Sequence, residues 1–415
     1  MADISPPDGK GRAGNKKGGK SGKVADFRYK PPSRSDDRQR PPPGPAQDRG
    51  QSGKSQASSA RPAQPRMVLP HAAMPTSSRE SAWQNRQAYA ALDLGTNNCR
   101  LLIARPTGDS FTVIDAFSRV VKLGEGLTQT GRLSDAAMDR TIAALHICGE
   151  KLRRRNVHLA HSVATEACRR ASNGAQFIER VRSETGIALN IISAEEEARL
   201  AVLGCHILLE PGEGPAMIFD IGGGSTELVL LEPGEGIPRI LDWQSVPWGV
   251  VSLTDTVGDW QDTPEGRTQR YGRMRKIVSD SFAPFAQRIA DARSLGDLRL
   301  LGTSGTVTTL ASLHLELPHY DRQAVDGLIV PAQSMRDISL RLSSMSVRDR
   351  RHLPCIGPDR ADLVVAGCAI LESILEIWPA TRLGVADRGI REGILRSLMA
   401  DHLGMGYVET GRAAQ

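Results

Sequence analysis

Two segments of this chain repeat one pattern: an apolar run ends in Asp, turns through glycine and small polar residues, and re-enters an apolar run. The first is AYAALDLGTNNCRLLIARP around Asp93 and the second AMIFDIGGGSTELVLL around Asp220, which stand 220 − 93 = 127 residues apart. Each reads as two strands joined by a tight glycine turn. A pattern that returns together with its flanking strands implies a duplicated α/β unit. Two such units packed together leave a cleft between the copies.

The rest of the chain supports two copies. After the first hairpin a third strand is expected over 111–123, then a helix capped by Ser134 and Asp135 with Met138, Ile142, Leu145, Cys148 and Leu152 at helical spacing. A strand over 157–165, a helix over 173–185, a strand over 188–193 and a helix over 194–208 complete a βββαβαβα series. Pro211, Gly212 and Gly214 break the chain before the theme restarts. In the second copy we expect a strand over 239–246, a helix over 264–294, a strand over 298–305 running into a glycine turn and the helix after it. Helices over 331–345 and 359–377, a strand over 382–386 and a final helix from Gly389 to His402 follow. The expected organisation is a domain over 88–212, a second over 213–387, a helix over 388–403 packing back on the first, and a tail over 404–415. The largest insertion to consider is a loop over 255–275.

Composition separates off the beginning of the chain. Residues 1–87 carry 12 of the 25 prolines and 17 Lys and Arg against 7 Asp and Glu, a net +10. Such a stretch buries too little surface to offset its chain entropy and is expected to be disordered. Subtraction from 53 basic and 47 acidic residues leaves 36 and 40 for residues 88–415, a net −4. The basic balance therefore belongs to the tail, and the folded part has no nucleic-acid binder's charge. A basic arm can attract nucleic acid, an anionic membrane surface or a polyanionic substrate, or simply keep the chain soluble. Six cysteines form no CxxC pair and no zinc spacing with the nine histidines. With no signal-like apolar core and no apolar run near 18 residues, a cytoplasmic protein with reduced thiols, not membrane-bound, is the expectation.

A strand that ends in Asp and turns through glycine exposes bare backbone N–H groups at the cleft mouth, which suits phosphate oxygens. Gly95, Thr96 and Asn97 form one such jaw and Gly222, Gly223, Gly224, Ser225 and Thr226 the other. Asp93 and Asp220, at the ends of their strands, are placed to hold Mg²⁺ directly or through water. A third turn, with Gly302, Ser304 and Gly305, feeds a helix and suits the same kind of ligand. One glycine turn alone is more often only a hairpin; three, two of them in matching positions of a repeat, point to one ligand.

These segments resemble those of the exopolyphosphatase and guanosine pentaphosphate phosphohydrolase (Ppx/GppA) family. DLGTNN at 93–98, ATEACRRASNGAQF at 164–177, IISAEEEARL at 191–200, DIGGGSTELV at 220–229, GTSGTVTTL at 302–310 and GIREGIL at 389–395 carry the likeness. The resemblance implies two ribonuclease-H-like domains of the actin, sugar-kinase and chaperone-ATPase superfamily flanking a cleft, in a short form without the family's C-terminal HD-type domain. It implies Mg²⁺-dependent hydrolysis of the terminal phosphoanhydride of inorganic polyphosphate, or of the 5′ γ-phosphate of guanosine pentaphosphate, and a homodimer by family habit. By the same resemblance Glu197, the second glutamate of EEAR, is the general base for water, Arg169 a bidentate phosphate ligand and Glu227 a further Mg²⁺ ligand. Glu195 and Glu196 have the simpler role of acids at a helix N-terminus. Arg153, Arg154 and Arg155 suit a helix C-terminus, and Cys99 and Cys168 suit core packing. Two other readings are a kinase of the acetate or sugar type, which needs an acceptor site not found here, and a nucleotide-binding regulatory scaffold of the actin-like superfamily.

Overall fold

The computed structural model describes residues 87–403 apart from 109, 233–235, 259 and 292–296. The expected tails over 1–87, save Gln87, and over 404–415 lie outside the described residues. Two sheets organise the rest. The first contains β1 (Ala88–Leu94), β2 (Asn98–Thr107), β3 (Ser110–Val120), β4 (Val157–Ala164) and β5 (Leu189–Ile191), in the order β3-β2-β1-β4-β5. The second contains β6 (Ala216–Ile221), β7 (Thr226–Leu231), β8 (Ile240–Val246), β9 (Arg299–Thr303), β10 (Ile329–Pro331) and β11 (Arg382–Ala386), in the order β10-β11-β9-β6-β7-β8. Each begins as an antiparallel three-strand meander and adds parallel strands beside its first strand. The duplication read from the sequence is therefore a duplication of topology, with β10 as an extra antiparallel edge strand of the second copy.

The hairpins repeat residue by residue. Asp93 pairs with Arg100 and Leu94 with Cys99; Asp220 pairs with Glu227 and Ile221 with Thr226. In each turn the glycine amide after the aspartate dipeptide bonds the carbonyl three residues on, Gly95 to Asn98 and Gly222 to Ser225, both at 2.9 Å.

The helices, in chain order, are α1 (Leu127–Thr130), α2 (Asp135–Arg154), α3 (Glu166–Arg170), α4 (Gly174–Thr185), α5 (Ala194–Cys205), α6 (Val250–Val257), α7 (Pro264–Arg288), α8 (Gly305–His314), α9 (Arg322–Val325), α10 (Ala332–Ser344), α11 (Val347–Arg350), α12 (Leu363–Ile377) and α13 (Ile390–Leu403). Ser134 caps α2, accepting from the Ala137 amide at 3.3 Å, and Ser193 caps α5, accepting from the Glu196 amide at 3.1 Å. The segment 255–275 is no insertion loop: it closes α6 and opens α7, whose start Thr263 caps with its hydroxyl. The short helices α3 and α6 lie where no periodicity could mark them, being only one or two turns long.

Four apolar clusters hold the molecule. α2 and α4 cover one face of the first sheet, burying Ile142, Leu145, Phe177 and Val181 against Leu92 and Leu101. The opposite face carries Tyr89, Leu102 and Val163 under Leu200 of α5 and Ile394, Leu395 and Met399 of α13. The last helix among the described residues thus packs on the first sheet. The second sheet's large core gathers α7, α8, α10 and α12, with Trp378 between the rings of Phe282 and Phe285, each at 5.8 Å. The fourth cluster joins the halves: Ala198, Val202 and Cys205 of α5 pack on Ile218, Val229 and Leu301 of the second sheet. Helix α5 therefore has one stripe on each sheet. Close approach makes this possible, because a Cβ at Gly204 would meet the Gly389 carbonyl oxygen at 2.0 Å and one at Gly393 the Leu200 carbonyl oxygen at 2.0 Å. Among the described residues no helix is long and apolar enough to cross a membrane.

Candidate active site

Strand ends set the site. The hairpin turns after β1 and β6 meet across a cleft of about 120 Å³, joined by the N-terminus of α8 and the loop before α12. The turns are in van der Waals contact: a Cβ at Gly223 would lie 3.0 Å from Thr96 Cβ and 3.2 Å from the Asn97 amide, and one at Gly224 would lie 2.6 Å from Thr96 Oγ1. Any side chain there would wedge the halves apart. Thr96 Oγ1 and Asn97 Oδ1 are buried in this contact and have no hydrogen-bond partner among the described residues. Orphaned polar atoms facing a cleft are free to take a hydrogen bond from water or a ligand.

Most of the residues singled out in the sequence converge here: Asp93, Gly95, Thr96, Asn97, Glu197, Asp220, Gly222, Gly223, Gly224, Ser225, Glu227, Ser304 and Gly305 all line the cleft. Three do not. Thr226 is fully buried and donates to the Trp248 carbonyl at 2.7 Å, because alternation along β7 turns it away from the face that carries Glu227. Gly302 lies within β9, where a Cβ would strike the Phe219 ring at 2.6 Å; its lack of side chain serves packing. Arg169 sits behind the cleft wall with its guanidinium already engaged. It donates Nη1 to the Ile192 carbonyl at 2.8 Å and Nη2 to Glu166 Oε2 at 2.8 Å, and both nitrogens to Glu197 Oε2 at 3.1 Å. As it stands, its fork holds two carboxylates, where a bidentate phosphate contact was expected.

Glu197, on the first turn of α5, is 7% exposed. Only Oε2 is held; Oε1 takes no hydrogen bond among the described residues. Burial holds its pKa well above the ordinary glutamate value, and the Glu227 and Asp93 charges add to this while Arg169 opposes it. A carboxylate so placed is a better base than one in water. Glu196, by contrast, pairs at the surface with Arg199 at 2.7 Å, as an acid on a helix's first turn can.

The cross-strand pair Asp220 and Glu227 points to one face of the second sheet. Low-dielectric surroundings and the Glu227 charge push Asp220 up to about 8, with Arg100 pulling the other way. Glu227 is raised by burial, tempered by hydroxyl donors from Ser225 at 2.7 Å and Ser245 at 2.9 Å. Asp93 is raised by burial against the pull of Arg100 and Arg391. Carboxylates this mutually repelled are stabilised by a cation. Among the described residues no three Asp, Glu, His or Cys side chains converge as a complete metal cage. The set fits a cation that takes one or two carboxylates and completes its shell with water and phosphate oxygens.

Two cationic groups escaped the sequence reading. Arg100 and Arg360 line the cleft, and neither has a carboxylate partner among the described residues. Arg360 packs its guanidinium 3.3 Å from where a Gly305 Cβ would be, and burial together with the Arg100 charge lowers its pKa. Two guanidiniums without a carboxylate partner, facing one space, are suited to an anion. The backbone is strained beside them: Ser304 has φ 142 and ψ 170, a region that glycine normally occupies, and its hydroxyl caps α8 by accepting from the Thr306 and Val307 amides.

Residues 102–402 match the model of the Ppx/GppA phosphatase family. The chain is similar to exopolyphosphatase 2 of Mycobacterium tuberculosis, 31% identical over 325 residues that cover 74% of this chain and 98% of that protein. It is also similar to the guanosine-5′-triphosphate,3′-diphosphate pyrophosphatase of Aeromonas hydrophila, 28% identical over 319 residues, covering 77% of this chain and 60% of that one. Among solved structures, the Ppx/GppA enzyme of Aquifex aeolicus superposes with a TM-score of 0.62 at 31% identity, covering 75% of this chain and 99% of its own.

Proposed function

This chain belongs to the Ppx/GppA phosphatase family, and from that premise we propose that it hydrolyses the terminal phosphoanhydride of a phosphate chain, with Glu197 as general base. The carrying observation is Glu197 itself: a buried carboxylate on the cleft wall, fixed through Oε2 and free at Oε1, with a raised pKa. A water bound at Oε1 would lose its proton to that oxygen as it attacks the end phosphorus in line, the bridging P–O bond breaking so that the shortened chain leaves as a phosphate oxyanion. Arg169 fixes the carboxylate's orientation and, as a cation, favours its ionised form against the effect of burial.

The substrate class follows from charge. The cleft wall carries five carboxylates, Asp93, Glu166, Glu197, Asp220 and Glu227, against the guanidiniums of Arg100 and Arg360. A polyanion entering this surplus of carboxylates needs a companion cation. Of Asp93, Asp220 and Glu227, one or two would hold Mg²⁺ directly and the rest through water, and the ion when bound would neutralise phosphate oxygens and polarise the phosphorus. The amides of Gly223, Gly224 and Gly305, Thr96 Oγ1 and the two arginines would hold the remaining oxygens. Inorganic polyphosphate is the first substrate to test, since the chain matches exopolyphosphatase 2 over nearly that protein's whole length; the 5′ end of guanosine pentaphosphate is the second.

The test is phosphate release by purified protein with Mg²⁺ from long-chain polyphosphate, guanosine pentaphosphate and ATP at equal terminal-phosphate concentration. Release from either of the first two, lost in Glu197→Gln, supports the proposal and selects the substrate. Release from none of them, or full activity in Glu197→Gln, overturns it.

A further inference from the structure

Glu166 is the cleft carboxylate that neither the base nor the metal carboxylates account for. It starts α3, is 8% exposed, and has a cation at each oxygen: Arg169 Nη2 donates to Oε2 at 2.8 Å, and Arg170 Nε lies 3.5 Å from Oε1. Its stem lies against the glycine turn of the other half, where a Cβ at Gly224 would meet Glu166 Cγ at 2.7 Å and Cβ at 3.3 Å. Glu166 thus stands between Arg169, which does not line the cleft, and the turn that would receive phosphate oxygens. Arg169 gives Glu166 a shorter bond than either it gives Glu197, 2.8 Å against 3.1 Å.

We propose that Glu166 determines specificity by occupying Arg169 from the cleft side, standing in for an anionic group of the substrate and so lowering the site's affinity for polyanions. A carboxylate and a phosphoryl oxygen compete for the same guanidinium edge. A phosphate group arriving at the Gly224 turn must displace Glu166 from Arg169 or meet its negative charge directly. With the carboxylate gone, the same guanidinium edge opens to the ligand. This inference rests on the phosphohydrolase reading above.

The test compares wild type, Glu166→Gln, which keeps size and an acceptor but drops the charge, and Glu166→Asp, which keeps the charge. Two quantities are read at saturating Mg²⁺: kcat and KM with tripolyphosphate, and the Kd of the non-hydrolysable imidodiphosphate by calorimetry. Glu166→Gln is expected to lower both KM and Kd about tenfold, the weight of one charge-assisted hydrogen bond. Its kcat should fall by a smaller factor as Arg169 shares itself with the ligand, and Glu166→Asp should keep KM near wild type. A brace that merely steadies Arg169 would lower kcat and leave KM and Kd unchanged or raised, and that result overturns the inference. Glu166→Ser is the second variant should Glu166→Gln fold poorly, with the same direction expected. A wild type that releases no phosphate would sink the hydrolase reading while the Kd comparison still decided on Glu166; no binding of imidodiphosphate by any form would overturn this inference too.

Discussion

Arg100 and Glu227 hold the same position of the repeated hairpin, each directly across from the turn aspartate of its own copy, Asp93 and Asp220. One copy carries a cation where the other carries an anion. At that position the two hairpins are therefore related in backbone and opposite in charge, a guanidinium in the first and a carboxylate in the second. A substrate that brings both an anion and a cation, a phosphate chain with its divalent ion, matches this asymmetry.

The cationic side predicts binding defects. Arg100→Ala and Arg360→Ala should each raise KM for polyphosphate tenfold or more, by loss of about 1.5–3 kcal/mol per charged hydrogen bond. Steady-state kinetics check this, and an unchanged KM in both variants would remove the pair from the phosphate site.

Glu197→Gln should reduce kcat by about 10²–10⁴, the usual weight of a general base, with KM altered far less. Because burial and the Glu227 charge raise the Glu197 pKa well above an ordinary glutamate's, activity should fall as pH drops through that raised value. A pH profile of kcat with its acidic limb at the unperturbed glutamate value would contradict the assignment.

Asp220 predicts a linkage between pH, metal and stability. Its folded pKa of about 8 lies above the ordinary aspartate value of 3.8, so the metal-free fold holds a proton that the unfolded chain releases. Stability should therefore decline as pH rises from about 4 to 8, where the unpaired charge is forced into the cleft. Mg²⁺ should raise Tm most at the alkaline end. Asp220→Asn should flatten both dependences, which thermal melts at several pH values with and without Mg²⁺ would measure.

Gly393→Ala tests the helix contact that joins the chain's end to its first sheet. Its Cβ would lie 2.0 Å from the Leu200 carbonyl oxygen, and only a shift of α13 away from α5 relieves this. The expected cost is about 1–3 kcal/mol. Gly272→Ala, on the exposed side of α7 with nothing within 4 Å, should be neutral or stabilising in the same melts.

The hairpins were legible in the sequence because they occur twice, and Glu197 because a family motif marks it. Arg100 was also within reach: subtracting the repeat offset from Glu227 points to it directly. Thr226 and Glu227 are neighbours on a strand, so only one of them can face the cleft, and that alternation could have removed Thr226 from the phosphate set. Gly302 could not be sorted in this way, since a strand glycine that admits a Phe ring and a turn glycine that admits a phosphate look alike in one dimension. Arg360 had no local signal at all, because it meets Arg100 only after the second domain's fold brings the loop before α12 to the cleft.

Helix α5 bears one stripe on each sheet and Glu197 at its head. It is a shared seat: parting the two sheets would strip apolar contacts from one side of this helix, so the position of Glu197 depends on both halves at once. The place of Glu197 on the cleft wall is thus a joint product of both halves, and neither sheet by itself sets it.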